Sequence, residues 1–505
     1  ARETAAALNE EIFLTWLDKD GAETANLSYK MVWNRSAFVA NWILGDVGLA
    51  PGDRAVLVYA PGPEFFVAFV ACLRAGVLAV PNYPPDPSGL GRGLRKLDLV
   101  RTTCGAEVGL TDSIVRNLRM ATSIWHAWPA IRWHNTDGLG ADSPLLFHRL
   151  MSSEEQQPDD PMLRVSRSSS SKKNDEGAAA RYRMVNFSPV SFLADPLMWL
   201  RAVSKYRAIW TASPDFGYRL CTKRAADTDV SDIDLSCLVY CAGGVGQRCV
   251  PSLLREFAAY FAIHARLPDD GSRGIFVPNY GLAEHVVATC GENDGLVASR
   301  RRPDLISCGS DFIVDVRIVD AANRRRIVAD NTPGELWLSS DSVAQGYWGK
   351  PELSDETFRA RLEPDDGKVY LRTGDEAFVE RGRLFICARI KDLIIVGGTN
   401  YYSDDVEVAA TEAIIDSARP GCVAAFAVVD DDDEREFLCV VLEVRDNAES
   451  ECEALAAALA TRVGEAVGLR PRRVVFIKQK TILKTTSGKL RRRAIRDALL
   501  AGELR

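Results

Sequence analysis

Four short motifs in this 505-residue chain carry groups suited to holding a nucleotide and steadying charge at a phosphate. Tyr280-Gly281-Leu282-Ala283-Glu284 puts an aromatic ring, a glycine turn and a carboxylate within one pentapeptide. The ring suits stacking on a purine, and the carboxylate suits a hydrated Mg²⁺ at a triphosphate. Taken alone, the same residues read equally as a strand end with a surface glutamate. In Leu371-Arg372-Thr373-Gly374-Asp375, Gly374 permits a turn that presents Asp375. A carboxylate so placed can accept two hydrogen bonds from vicinal hydroxyls such as those of ribose. Arg389 could reach the same sugar, and Lys391, in Arg389-Ile390-Lys391-Asp392, stands where a domain pivot would be useful. The rival reading is a solvated charged linker. Finally, Lys489 ends the polar loop Leu483-Lys484-Thr485-Thr486-Ser487-Gly488-Lys489. A lysine on such a loop can bridge a carboxylate and a phosphate and stabilise charge that grows during reaction.

These groups need elements to hold them. From Leu27 to about Asp160, amphipathic helices alternate with short apolar runs: Met31 to Gly45 helical, Arg54 to Tyr59 extended, Glu64 to Ala75 helical, Val77 to Pro81 extended. That alternation predicts an α/β domain with parallel strands. A second such stretch spans about Val185 to Val287, with helices at Phe192 to Tyr206 and Val250 to Phe261 and strands at Ala208 to Ser213 and Cys237 to Ala242. From Ser307 to Phe385 the text becomes β-rich and punctuated by turns. After Arg389 come the strand Leu393 to Val396, a Gly397-Gly398 turn and mixed elements to the end. The expected fold class is α/β: a large N-terminal domain of layered sheets (1–388) with a β-rich subdomain (307–388), then a small mobile α+β domain (389–505).

Composition limits the partners. A net charge of -7 gives no global attraction to nucleic acid or anionic membrane. The last 45 residues do carry 13 Lys or Arg against 3 Asp or Glu, but Phe476 is their only aromatic, so no stacking platform accompanies the charge. The expectation is no nucleic-acid partner. Twelve cysteines lie scattered without a CxxC pair, which fits reduced thiols in a cytoplasmic protein better than zinc or disulfides. The longest apolar stretch, Phe65 to Pro81, is broken by Arg74, so no transmembrane segment is expected. No basic-plus-apolar leader follows Ala1.

Together, in this order and spacing, the motifs resemble the adenylate-forming superfamily of acyl-CoA synthetases, luciferases and peptide-synthetase adenylation domains. The closer resemblance is to fatty acyl-AMP ligases. It is carried by residues 48–85 (GLAPGDRAVLVYAPGPEFFVAFVACLRAGVLAVPNYPP), 187–208, 214–221 (PDFGYRLC), 280–284, 342–352 (SVAQGYWGKPE), 371–375 and 389–407, and it covers nearly the whole chain. The resemblance implies ATP-dependent conversion of a medium- or long-chain fatty acid to acyl-AMP with Mg²⁺. Transfer would follow, to the phosphopantetheine of an acyl carrier protein or polyketide synthase module, or to CoA. It implies that Tyr280 and Gly281 contact adenine, Glu284 binds Mg²⁺, Asp375 and Arg389 hold ribose, Lys391 is the hinge and Lys489 is the catalytic lysine. Phe216 and Tyr218 would line the acyl pocket, and Gly243 and Gly244 would belong to a loop near adenine.

The sequence departs from that pattern in places. Where the family carries a glycine-rich phosphate loop, residues 166–173 read SRSSSSKK, and non-glycine residues do not readily adopt the positive φ such a cradle uses. Only Asn174 to Asn186 stands where several dozen further residues are expected, so 165–186 reads as degenerate or shortened. CAGGVG (241–246) replaces the usual adenine-side motif, and the span from Glu284 to Cys308 is short for the insertion that sets acyl-AMP ligases apart. Two alternatives therefore stay open: a catalytically impaired acyl- or adenylate-binding module, and a long-chain acyl-CoA synthetase.

Overall fold

The computed structural model describes residues 10–139, 182–243, 251–261, 274–285 and 296–504, apart from 311, 313, 321–324, 415–416, 430–434, 445–450 and 486–488. Two compact units result. One comprises Ala1–Val277 with Asn293–Leu296 and Gln345–Ser354; the other comprises Pro278–Glu292, Val297–Ala344 and Asp355–Arg505.

The first unit opens with β1 (Ile12–Leu17), β2 (Glu23–Ser28) and α1 (Tyr29–Gly45). Ser28 fixes the start of α1 by accepting the Met31 N–H, the usual work of an N-cap serine. Then come β3 (Arg54–Val58), α2 (Pro63–Ala75), β4 (Leu78–Asn82), α3 (Leu90–Cys104), β5 (Val108–Thr111), α4 (Ser113–Thr122) and β6 (Arg132–Asn135). Proline starts α2 and Gly76, at φ +67°, ends it in the left-handed conformation. Strands β3 to β6 form a parallel sheet in the order β4-β3-β5-β6, as the alternating pattern predicts. Val39, Ile43, Leu57, Val67, Ala71 and Val108 fill the layer between this sheet and helices α1 and α2.

Further along lie β7 (Met184–Phe187), α5 (Pro189–Ala194), α6 (Leu197–Tyr206), β8 (Trp210–Ala212), α7 (Asp215–Ala225), β9 (Tyr240–Gly243), α8 (Pro251–Tyr260) and β10 (Phe276–Pro278). The single helix expected over Phe192 to Tyr206 is two, because Pro196 has no N–H to continue a helix and disfavours the helical conformation of Asp195, which is extended. Strand β7 pairs in parallel with β1, and β8 to β10 form a separate three-stranded sheet.

In the second unit, β11 (Asp315–Val319), β12 (Gly334–Ser339), β13 (Leu371–Glu380) and β14 (Arg383–Arg389) form an antiparallel sheet; α9 (Pro351–Phe358) lies between β12 and β13 in sequence. The hairpin β15 (Leu393–Val396) and β16 (Thr399–Tyr402) turns on Gly397 and Gly398, at φ +59° and +77°, a two-residue connection that needs left-handed backbone at both positions. The chain ends with α10 (Ser403–Ala413), β17 (Ala418–Val429), β18 (Glu436–Val444), α11 (Cys452–Val467), β19 (Arg473–Ile477) and α12 (Arg492–Leu500). Strands β17 to β19 pack Val423, Ala425, Val440 and Leu442 against α10 and α11. Among the described residues no helix is long and apolar enough to cross a membrane, and no described cysteine is in a disulfide.

Candidate active site

In the second unit Tyr280 and Arg389 bond one carboxylate, that of Asp375, and Lys489 lies within its electrostatic reach. The expected turn at Leu371 to Asp375 is instead a bulge within β13. Between Glu335 and Trp337 of β12 the facing residues jump from Glu376 to Arg372, so Thr373, Gly374 and Asp375 stand against the single residue Leu336 and the longer strand carries two extra residues. Gly374, at φ +70°, supplies the left-handed backbone the bulge requires. Thr373 locks it: its hydroxyl donates to the Leu336 carbonyl at 2.8 Å and accepts the Asp375 N–H at 3.1 Å.

Arg389 reaches Asp375 by strand pairing. The β13–β14 hairpin closes with Glu380 opposite Arg383, and an irregularity between Glu376 and Ala377 brings Asp375 opposite Arg389. Arg389 Nε donates to Asp375 Oδ1 at 3.1 Å, and the Tyr280 hydroxyl donates to Oδ2 at 2.5 Å. The Asp375 side chain is only 8% exposed whereas that of Arg389 is 65% exposed, so a buried acceptor is held by a donor at the surface. Burial pushes the Asp375 carboxyl up, while Arg389 and Tyr280 pull it back toward the charged form. Burial, and then the Asp375 charge, hold the Tyr280 hydroxyl far above the ordinary phenol range, so it stays a donor. An ionised carboxylate offers about four lone-pair directions, so two partners leave room for a pair of vicinal hydroxyls.

Tyr280 is itself nearly buried, packed with Ile318, Leu336, Leu338 and Leu384. The surface it can offer a base is one small part of the ring, and its hydroxyl is committed to Asp375. After Gly281 the chain makes a single 3-10 turn over Ala283–His285, closed by the His285 N–H on the Leu282 carbonyl at 3.1 Å. The turn's Glu284 carbonyl accepts the Ala344 N–H at 2.8 Å, which ties it to the segment after β12. His285, buried, bonds through Nε2 with the hydroxyls of Ser340 at 2.8 Å and Ser342 at 3.2 Å. The Glu284 carboxylate is close enough to Asp375 and Arg389 to act on both electrostatically. Among the described residues no group of three or more ligating side chains gathers, so Mg²⁺ here would take one carboxylate, Glu284, and draw its other ligands from phosphate and water. That donor set fits the ion.

Lys489 feels the same centre. Burial first and Arg389 second lower its ammonium below the ordinary lysine value, and Asp375 acts in the opposite direction. Lys391, exposed, occupies a 3-10 turn over Ile390–Asp392 directly after β14. Gly243 ends β9 beneath Leu254 and Tyr218; Gly244 and the rest of the CAGGVG loop lie outside the described residues, as does the whole of 165–181. Phe216 is 44% exposed and packs edge-on against Phe192. Tyr218 is fully buried among Trp199, Phe257 and Phe276, with its hydroxyl donating to the Ala242 carbonyl at 2.7 Å. In this structure it sits in the core of the first unit.

Sequence reasoning missed the Tyr280–Asp375 bond and the His285–Ser340–Ser342 group. The first joins residues 95 positions apart, and no local pattern announces it. The Asp375–Arg389 contact was foreseeable, because the Arg381-Gly382 turn lies midway between them.

The profile of the AMP-binding enzyme family matches residues 1–161 and 178–348. The chain belongs to the AMP-binding enzyme family. The stretch the profile passes over, 162–177, contains SRSSSSKK. The chain is 28% identical to a medium-chain-fatty-acid–[acyl-carrier-protein] ligase of Moorena producens, across 97% of this chain and 92% of the relative. It is also 28% identical to a long-chain-fatty-acid–AMP ligase of Mycobacterium marinum, across 98% and 95%. The first alignment runs to 562 residues against a chain of 505, so several dozen positions of that relative have no counterpart here. Among solved structures, a fatty acid AMP ligase from Legionella pneumophila matches at a TM-score of 0.63 and 25% identity, covering all of this chain and 96% of that one. A chain from a study of fatty acyl-adenylate ligases of E. coli and L. pneumophila matches at 0.77 and 22% identity, over 99% and 97%; at that identity the likeness concerns the fold.

Proposed function

We propose that this protein is a fatty acyl-AMP ligase: it activates a medium- or long-chain fatty acid with ATP and passes the acyl group to the phosphopantetheine of a carrier protein. In the first step a carboxylate oxygen attacks the α-phosphorus of ATP, the bond to the β-phosphate oxygen breaks, and acyl-AMP and pyrophosphate form. In the second, the thiol attacks the acyl carbon, loses its proton, and AMP leaves. The observation that carries this reading is the Asp375 carboxylate, held by Tyr280 and Arg389 with Lys489 in the same field.

Within this reading Asp375 accepts the ribose hydroxyls and Arg389 keeps it charged. Tyr280 and Gly281 border adenine, and Phe216, in the first unit, would border the acyl chain. Lys489 faces the carboxylate and α-phosphate, where a fixed cation favours the transition state over the ground state. Glu284 would hold Mg²⁺, whose contribution is to neutralise triphosphate charge. Residues 389–505 act as a lid that turns at Lys391. No covalent enzyme intermediate is needed, so the protein contributes positioning and electrostatics.

The test is fatty-acid-dependent exchange of labelled pyrophosphate into ATP, together with product identification when carrier protein or CoA is added. Acyl-carrier product supports the proposal, whereas acyl-CoA alone moves the assignment to the synthetases. One observation favours a second reading, a binding module with impaired turnover: residues 162–177 fall outside the family match, and 166–173 lack glycine. Folded protein that binds acyl-AMP without catalysing exchange would establish that reading.

A further inference from the structure

Lys489 emerges from a closed two-stranded neck. Lys484 and Leu490 form an antiparallel bridge, the Thr485 N–H donates to the Lys489 carbonyl at 2.7 Å, and the Lys489 N–H donates to Thr485 Oγ1 at 3.0 Å. Below these, the Arg491 N–H donates to the Leu483 carbonyl at 3.0 Å. Where Lys489 points therefore depends on where residues 490–492 are held.

Arg492, the first residue of α12, holds them. Its side chain is 18% exposed and its guanidinium meets three carboxylates. Nε and Nη2 donate to the two oxygens of Glu407, each at 2.7 Å; Nη2 also pairs with Asp404, and Nη1 donates to Asp392 Oδ2 at 3.1 Å. Asp404 and Glu407 belong to α10, and Asp392 closes the 3-10 turn that contains Lys391. One side chain thus joins the neck of the Lys489 loop, the proposed hinge turn and α10. Burial pushes the Glu407 carboxyl up to about 7, and the Arg492 hydrogen bonds oppose that rise.

Helix energetics make a purely local role for Arg492 a poor explanation. Cations in the first turn of a helix oppose the macrodipole, and α12 begins with two arginines, no acidic residue in its first turn and no side-chain cap. The start of α12 is fixed from outside, by the carboxylates of the hinge turn and α10.

We propose that Arg492 is a positioning residue for the adenylation step, which ties Asp392, α10 and the Lys489 neck into one rigid body so that rotation at Lys391 is delivered in full to Lys489. The proposal rests on the reading of Lys489 as the lysine of adenylation and Lys391 as the hinge. A lysine at position 492 would keep the charge but could not engage both Glu407 oxygens together with Asp404 and Asp392, because only the planar guanidinium fork has that geometry.

The experiment compares Arg492→Lys, Asp392→Asn, their combination and Lys489→Ala with wild type. It measures pyrophosphate exchange kinetics, the thermal midpoint and amide hydrogen exchange. Misplacing a catalytic group by about 1 Å can cost on the order of a hundredfold, so Arg492→Lys should lower kcat at least about tenfold with KM for ATP and fatty acid within about twofold. Amides of the described neck residues, 482–485 and 489–491, should exchange at least about tenfold faster while those of β17 and β18 stay unchanged. Asp392→Asn, which takes the charge out of the hinge link and leaves Glu407 paired, should show the same pattern in weaker form and add nothing to Arg492→Lys. Unchanged kcat and neck exchange would overturn the proposal. So would loosening spread through β17 and β18, or KM rising in step with the loss of kcat, because either marks a merely structural residue. If Lys489→Ala keeps full exchange activity, the assignment of Lys489 is what fails, and amide exchange in the neck still decides whether Arg492 fixes it.

Discussion

Replacing Tyr280 with phenylalanine separates orienting the ribose-binding carboxylate from contacting ribose. The substitution keeps the ring against Ile318, Leu336 and Leu338 and removes only the hydroxyl that donates to Asp375 Oδ2 at 2.5 Å. A hydrogen bond to a charged group contributes about 1.5–3 kcal/mol, and the carboxylate left behind is nearly buried and keeps the Arg389 bond, so about 2 kcal/mol of stability should be lost. Ribose hydroxyls still find an acceptor in this variant, so KM for ATP should rise by less than about tenfold, or less than about 1.4 kcal/mol. Asp375→Ala removes the acceptor itself, and losing two such bonds should raise KM for ATP by about a hundredfold or more. The assays are urea unfolding, read as a midpoint shift at constant slope, and the ATP dependence of pyrophosphate exchange. A wild-type midpoint for Tyr280→Phe would refute the reasoning, as would a KM defect equal to that of Asp375→Ala.

Four further outcomes follow from the structure. Lys489→Ala should lower adenylation by about a hundredfold or more with little change in KM, since the cation acts on transition-state charge. Because burial and Arg389 lower the Lys489 pKa, the protonated form should be lost below pH 10.5, giving wild type an alkaline limb there in kcat that Lys489→Arg lacks; the same shift makes the charged lysine a cost to folding below its folded pKa, a cost relieved as pH rises toward 10.5. Gly374→Ala forces a side chain into left-handed backbone, which should cost about 1–2 kcal/mol and raise KM for ATP by misplacing Asp375, read by urea midpoint and kinetics. Gly334→Ala should destabilise the second unit by about 1–3 kcal/mol without a selective effect on KM, because a Cβ there would overlap the Val319 carbonyl across the β11–β12 pair; differential scanning calorimetry reads it.

Periodic signals in the chain translate directly into structure. The parallel sheet from Arg54 to Asn135 follows from apolar runs alternating with amphipathic helices, and the β15–β16 hairpin follows from Gly397-Gly398. What failed were local readings overridden by partners far along the chain. Leu371 to Asp375 reads as a turn but is a bulge, because β12 and β14 pair with it on either side and absorb the extra residues. Phe192 to Tyr206 reads as one amphipathic helix because periodicity is blind to the break at Pro196. The burial of Tyr218 among Trp199, Phe257 and Phe276 is set by packing from distant residues, which its motif does not encode. At the site, residue types pointed to Asp375, Arg389 and Lys489, but the donor role of Tyr280 and the clamp of Arg492 on Asp392, Asp404 and Glu407 depend on tertiary pairing that spacing does not encode.

The central claim is that this chain forms acyl-AMP with the Asp375 and Lys489 centre. The most direct measurement is pyrophosphate exchange into ATP by purified full-length protein with medium- and long-chain fatty acids, with acyl-AMP identified by mass spectrometry. Fatty-acid-dependent exchange that falls about a hundredfold in Lys489→Ala, with acyl-AMP detected in the wild-type reaction, is the predicted result. Folded protein that yields neither exchange nor acyl-AMP with any of these acids, or exchange indifferent to Lys489, would contradict it.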